Sequence, residues 1–414
     1  MMRSIFVLAF ALSAVVAHAI AAEHEAEPKA AETAPTHSAV QALEVVPVEG
    51  IARHLRALQL VQDRMVSGNV RAVDAQRALL GQMIAELETR AGLAGLTERE
   101  AENSLPMALL NGADPERVRA ILGQSGIASK DAFLLGALAY AEGRVPEALT
   151  AFASVEEGKL QPSARAQFYL TKGVMLATSE PEKALKSFAK ARLSAPGTLI
   201  EEAALRREAL IEMAEPELFL PLVRSYLHRF SASPFASAFI SQFAFSISDL
   251  DEKTQDTITK ELDGLLAQAR SQDRQNFYGI LARSSLIGGN YALADFATER
   301  AVNEVTNPSQ LLSARLYRSA FNIAGDDHAE AATELESLMR APLQASDREI
   351  LSAAISVARE LRRWPYGQNK DAVKRSMTEF ATPIGVAGEE ADSPRVSSAE
   401  KLLEDTKVLS GAAP

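Results

Sequence analysis

The sequence predicts an all-α protein built from repeated helix pairs, and three observations lead there. Ala and Leu, strong helix formers, dominate a chain that is 47% hydrophobic and only 6% aromatic, and no runs of β-branched residues suggest strands. Helix start signals recur along the chain, whereas strand signals are nearly absent. A small residue followed four positions later by Phe appears as Ala148 and Phe152 and returns thirty-six residues on as Ala184 and Phe188. Residues four apart share one helix face, so the small member lets a neighbouring helix approach and the large one fills the gap beside it.

Residues 1–21 have the form of a cleaved secretory signal peptide. Arg3 supplies a short basic region, Ile5 to Val16 an apolar run, and Ala17-His18-Ala19 or Ala19-Ile20-Ala21 the small residues of a cleavage site. The mature chain is expected to start near Ala22, in the bacterial periplasm. No Cys follows to carry a lipid, and no later stretch suggests a membrane span. Residues 22–50, rich in Ala, Glu and Pro with Pro28, Pro35 and Pro47, lack periodicity and are expected to form a disordered tether.

A helical domain is expected over residues 51–364. It opens with Leu55, Leu58, Val61 and Met65 at helical spacing, a break at Gly68-Asn69, and a second helix from Val70 to Leu87. Start signals follow at Thr97-x-x-Glu100, Asp114-Pro115-Glu116, Ser179-x-x-Glu182 and Ser346-x-x-Glu349. Ser231 to Ser248 carries no charge and places Phe235, Phe239 and Phe243 one turn apart, as either a buried central helix or a ligand groove. Leu250 to Ala269 has the pattern of an exposed amphipathic helix. Residues 365–414 are expected to be mostly disordered, with a possible short helix over Ser398 to Leu409 that either docks or binds a partner.

The recurring pair sits in a wider pattern. Leu135-Gly136, Gly143, Ala148, Phe152 and Val155 fall at the spacings of a tetratricopeptide unit, and the second copy adds Ala191 and Pro196 with a turn one residue shorter. A third copy is expected at Tyr278-Gly279 through Ala292 and Phe296, and a degraded fourth from Ala314 through Ala331 and Leu335. A tetratricopeptide-like solenoid follows, with an irregular helical bundle as the alternative.

Catalytic, cofactor and metal sites are not expected. Zero Cys removes thiolate chemistry and thiolate metal ligands, and His54, His228 and His328 are far apart with no zinc spacing. Gly123-Gln124-Ser125-Gly126 lacks the Gly-x-Ser-x-Gly pattern of a nucleophile elbow, and Gly288-Gly289 lacks the Lys of a phosphate loop. Glu336-Ser337 is the one pair that invites comparison with murein-cleaving transglycosylases, but the Gly-Leu-Met-Gln run expected downstream is missing. A net charge of −11 argues against nucleic acid and anionic lipid. It also implies that basic patches on a protein partner would steer association.

Leu58-Gln59-x-x-Gln62-Asp63, then Gly68-Asn69, then Ala75-Gln76-Arg77 resemble the opening of the rhizobial motility (chemotaxis) proteins of the MotC family. Leu135-Gly136, Tyr140-x-x-Gly143 and Arg362-Arg363-Trp364-Pro365 follow in the same order, so the likeness covers about residues 51–366. The resemblance implies a periplasmic accessory of the flagellar motor, needed for rotation and bound to the periplasmic part of the stator protein MotB. It assigns no partner-binding residue. The rivals are a general periplasmic scaffold for envelope assembly and a murein-cleaving enzyme.

Overall fold

The computed structural model describes residues 50–304 and 307–363, and among these every regular element is helical. The leader, the tether and the tail expected at the two ends lie outside the described residues. The helices run, in order, α1 Ile51–Val66, α2 Arg71–Gly92, α3 Glu98–Leu110, α4 Pro115–Ser125, α5 Ala132–Ala141, α6 Val145–Ala153, α7 Pro162–Leu176, α8 Pro181–Ser194 and α9 Leu199–Ile211. They continue as α10 Pro216–Phe230, α11 Ala236–Ile247, α12 Glu252–Leu266, α13 Ser271–Ile287, α14 Tyr291–Glu304, α15 Pro308–Asn322, α16 His328–Leu338 and α17 Ala345–Arg363. The described chain separates into two compact units, one holding residues up to 58 and 77–155, the other 59–76 and 156–363.

Local chemistry sets the helix boundaries. Thr97 and Glu100 form the reciprocal box at the start of α3: the Glu100 backbone N–H donates to Thr97 Oγ1 at 3.2 Å, and the Thr97 N–H donates to Glu100 Oε2 at 3.1 Å. Two otherwise orphaned donors are satisfied together. Asp114 caps α4 with Pro115 in its first turn, and Gly126 ends that helix at φ 65°, where a side chain would be strained.

Two expected start signals are displaced. Glu180, not Ser179, precedes α8, because Pro181 has a fixed φ suited to the first turn and sets the start there. Ser346 lies inside α17, which already begins at Ala345, so it caps nothing.

In the first unit, α5 packs on α6. Gly136 faces Phe152, whose ring occupies the space a Cβ on Gly136 would need, and Ala148 and Phe152 are buried. In the second unit α7 packs on α8 by the same device, with Ala184 and Phe188 buried and a Cβ on Gly173 placed 2.6 Å from Phe188 Cε1. Gly173 was not singled out by the sequence pattern, because the shorter turn moves it one place out of register with Gly136.

The third expected copy is corrected. In α14, Ala292 is exposed and Phe296 only half-buried, while Leu293, Ala294, Ala297, Thr298 and Ala301 face inward. The reason is a reversal of sizes. Here the first helix, α13, supplies the bulk through Phe277, Tyr278 and Leu281, so the second must present small residues to pack at normal interior density. A Cβ on Gly279 meets nothing within 4 Å. The fourth site is as expected, with Ala314, Ala331 and Leu335 buried across α15 and α16.

Phe239 and Phe243 are core residues, which settles the uncharged segment as a buried helix. Phe243 lies edge-on to Phe219 at 5.0 Å between ring centroids and 5.1 Å from Phe277, and Phe239 lies 4.4 Å from Tyr226. Phe235, just before α11, stays half-buried under the Arg206 guanidinium. The segment after it is amphipathic as expected, α12 turning Ile258, Leu262, Leu265 and Leu266 inward.

Candidate interaction surface

The polar groups inside the second unit are arranged as clasps between helices. Tyr226 on α10 donates to Glu202 on α9 at 2.6 Å, and Arg206 pairs with the same carboxylate at 3.3 Å. Tyr278 on α13 donates to Asp263 on α12 at 2.7 Å, and Arg300 on α14 closes on Asp263 at 2.7 and 2.8 Å. Tyr317 on α15 donates to Asp347 on α17 at 2.7 Å, joined by Ser313 at 2.6 Å. Tyr169 on α7 donates to Glu157, which also meets Lys190 on α8 at 3.4 Å. Each clasp satisfies a buried or half-buried hydroxyl that would otherwise cost about 1 to 3 kcal/mol.

The electrostatics of these groups fit a structural role. Burial, reinforced by the adjoining carboxylates, pushes the Tyr226, Tyr278 and Tyr317 phenols far above their ordinary range, so they remain donors. The Arg300 hydrogen bonds hold the Asp263 carboxyl below its ordinary value, and the Tyr169 hydrogen bond does the same for Glu157. A carboxyl lowered by folding contributes stability that is complete above its unfolded value, about 3.8 for Asp263, and is lost as pH falls through the lowered one. Asp263→Asn should therefore cost up to about 1 kcal/mol at neutral pH, limited by solvent screening of a side chain that is 59% exposed. That cost should close in urea melts below pH 3.8. A gap independent of pH would show that the clasp acts through shape alone.

The residues weighed for chemistry are not brought together. His54 meets Glu86 at 3.2 Å, whereas His228 and His328 are exposed on α10 and α16. Among the described residues no group of three potential ligands converges on a metal position. Glu336 and Ser337 lie on the exposed side of α16, and the Ser337 hydroxyl donates back to the Glu334 carbonyl at 2.7 Å. Gly123 to Gly126 ends α4, and Gly288-Gly289 turns between α13 and α14. Among the described residues no helix is long and apolar enough to cross a membrane.

What the chain offers outward is helix faces. The residues carrying the family resemblance fall on α1 and α2: Leu58 is buried, Gln59 and Gln62 are half-buried, and partial burial lifts the Asp63 carboxyl above its ordinary range. The far side of α1 is exposed and basic, with Arg53, Arg56 and Arg64 about an exposed Leu60. The sequence analysis followed only the apolar side of this helix. The 53, 56, 60, 64 spacing would have disclosed the other.

A family model described as "Chemotaxis protein MotC" matches residues 1–412. A chemotaxis protein MotC of Rhizobium meliloti (strain 1021) is 30% identical over 326 residues, covering 76% of this chain and 73% of the relative. No solved structure matches the chain.

Proposed function

From the premise that the chain belongs to the MotC family of chemotaxis proteins, we propose that it is a periplasmic accessory of the flagellar motor, required for rotation through binding the periplasmic part of the stator protein MotB. The observation that carries this reading is the family match over nearly the whole chain, which makes it a motility-related protein. The signal-like residues 1–21 support export, and the absence of any His or carboxylate cluster from the sequence motifs supports a binding role rather than a catalytic one.

The helix pairs suit that role. Gly136 with Phe152 and Gly173 with Phe188 are the small-for-large exchange of a tetratricopeptide-like solenoid, an architecture that works by presenting helix faces to other proteins. The test is direct binding between the purified chain from residue 22 onward and the purified periplasmic part of MotB. Saturable binding that weakens with added salt is expected, because charged groups steer the encounter. No binding at tens of micromolar would reject the named partner.

A further inference from the structure

We infer that the exposed face of α1, formed by Arg53, Arg56, Leu60 and Arg64, is a docking surface for a carboxylate-bearing helix of a protein partner. This rests on the function proposed above, and the partner is then MotB. Three observations converge on it.

The first is geometry. At 100° per residue, positions 53, 56, 60 and 64 fall within a narrow arc of one helix, opposite the buried Leu58 and Met65. Leu60 is 59% exposed at the middle of the stripe. From Arg53 to Arg64 the stripe runs about 16 Å, three turns of a facing helix.

The second is charge. The whole chain is strongly acidic, yet residues 51–77 hold five arginines against Asp63 and Asp74 and no lysine. The guanidinium fork binds carboxylates bidentately, and Arg is enriched and Lys depleted at protein interfaces. Elsewhere arginines are clasped within the fold, as Arg117 is by Glu88 at 2.8 Å and Arg300 by Asp263 at 2.7 Å. Among the described residues Arg53, Arg56 and Arg64 have no ion-pair partner.

The third observation decides between a protein and a bilayer. A basic helix that lies on a membrane inserts a broad apolar face into the lipid boundary. In α1 that face is committed to the protein interior, with Ile51, Leu58, Met65 and Val66 no more than 4% exposed. One leucine flanked by arginines fits a knob in the side of an acidic helix, with the forks closing around it.

The experiment compares wild type with Arg53→Glu/Arg56→Glu/Arg64→Glu for binding to the purified periplasmic part of MotB. The reversal should weaken binding by about tenfold or more, with the thermal melt unchanged because all three side chains are exposed. A triple Arg→Lys variant should recover only part of the loss, since charge returns without the fork. A photocrosslinker at Leu60 should capture MotB, and one at the equally exposed Leu193 should not. If wild type binds and the reversal binds equally well, this surface is wrong and the partner stands. If wild type does not bind, the partner reading falls and takes this assignment with it. The assignment is also overturned if the reversal abolishes binding only to phosphatidylglycerol vesicles, or only converts a dimer of this chain to monomer in light scattering.

Discussion

Cells lacking this protein should build flagella in normal number and length and fail to swim, with the halo in soft agar reduced to that of a non-motile control. The expectation follows from a chain that belongs to a chemotaxis family and whose polar interior is consumed in helix-to-helix clasps such as Tyr226 with Glu202 and Tyr317 with Asp347. A protein that acts by binding alone alters its target only through a difference in affinity between the target's states. To carry a stator from almost wholly inactive to almost wholly active, that difference must reach about 5.5 kcal/mol, so its loss is close to all-or-none. Electron microscopy of filaments beside tracking of tethered cells separates the outcomes. Normal swimming refutes the motor assignment. Missing filaments move the protein to assembly rather than rotation. Rotation restored by the wild-type gene in trans, and not by the α1 charge reversal, would join the phenotype to the surface.

Features that depend on residues close in the chain were legible, and those set by distant neighbours were not. The box at Thr97 and Glu100 and the start at Asp114-Pro115 were read correctly, since each involves atoms within one turn. The Ala148–Phe152 and Ala184–Phe188 faces were also legible, because spacing of four fixes a common helix side. Ala292 and Phe296 have the same spacing and proved misplaced. Which side of α14 turns inward is set by the bulk that α13 brings, and no pattern within α14 carries that information. The clasps escaped for the same reason: Tyr226 and Glu202 are twenty-four residues apart, and nothing local distinguishes them from other tyrosines and glutamates. The candidate surface was half-read, its buried side at Leu58 and Met65 seen and its complement at Arg53, Arg56, Leu60 and Arg64 passed over.

The size exchange between paired helices makes a prediction whose sign changes from one pair to another. Phe188→Ala should destabilise the second unit by about 3 to 5 kcal/mol in denaturant melts, because a wholly buried ring leaves a cavity at the point where α7 and α8 approach most closely. A loss below about 1 kcal/mol would place Phe188 at the surface and dissolve the pairing. Gly173→Ala is the sharper test. An Ala in a helix interior gains about 1 kcal/mol over Gly, but here its Cβ would lie 2.6 Å from Phe188 Cε1, and overpacking costs about 1 to 3 kcal/mol. The net effect should be a loss in the wild-type background. With Phe188→Ala already present the obstruction is gone, and the same Gly173→Ala change should stabilise by about 0.5 to 1 kcal/mol. Gly279 on α13 supplies the control, since nothing lies within 4 Å of its Cβ position: Gly279→Ala should stabilise in either background. Equal effects of Gly173→Ala with and without Phe188 would mean that the glycine is not there to admit the ring, and the helix pair would then owe its close approach to some other contact.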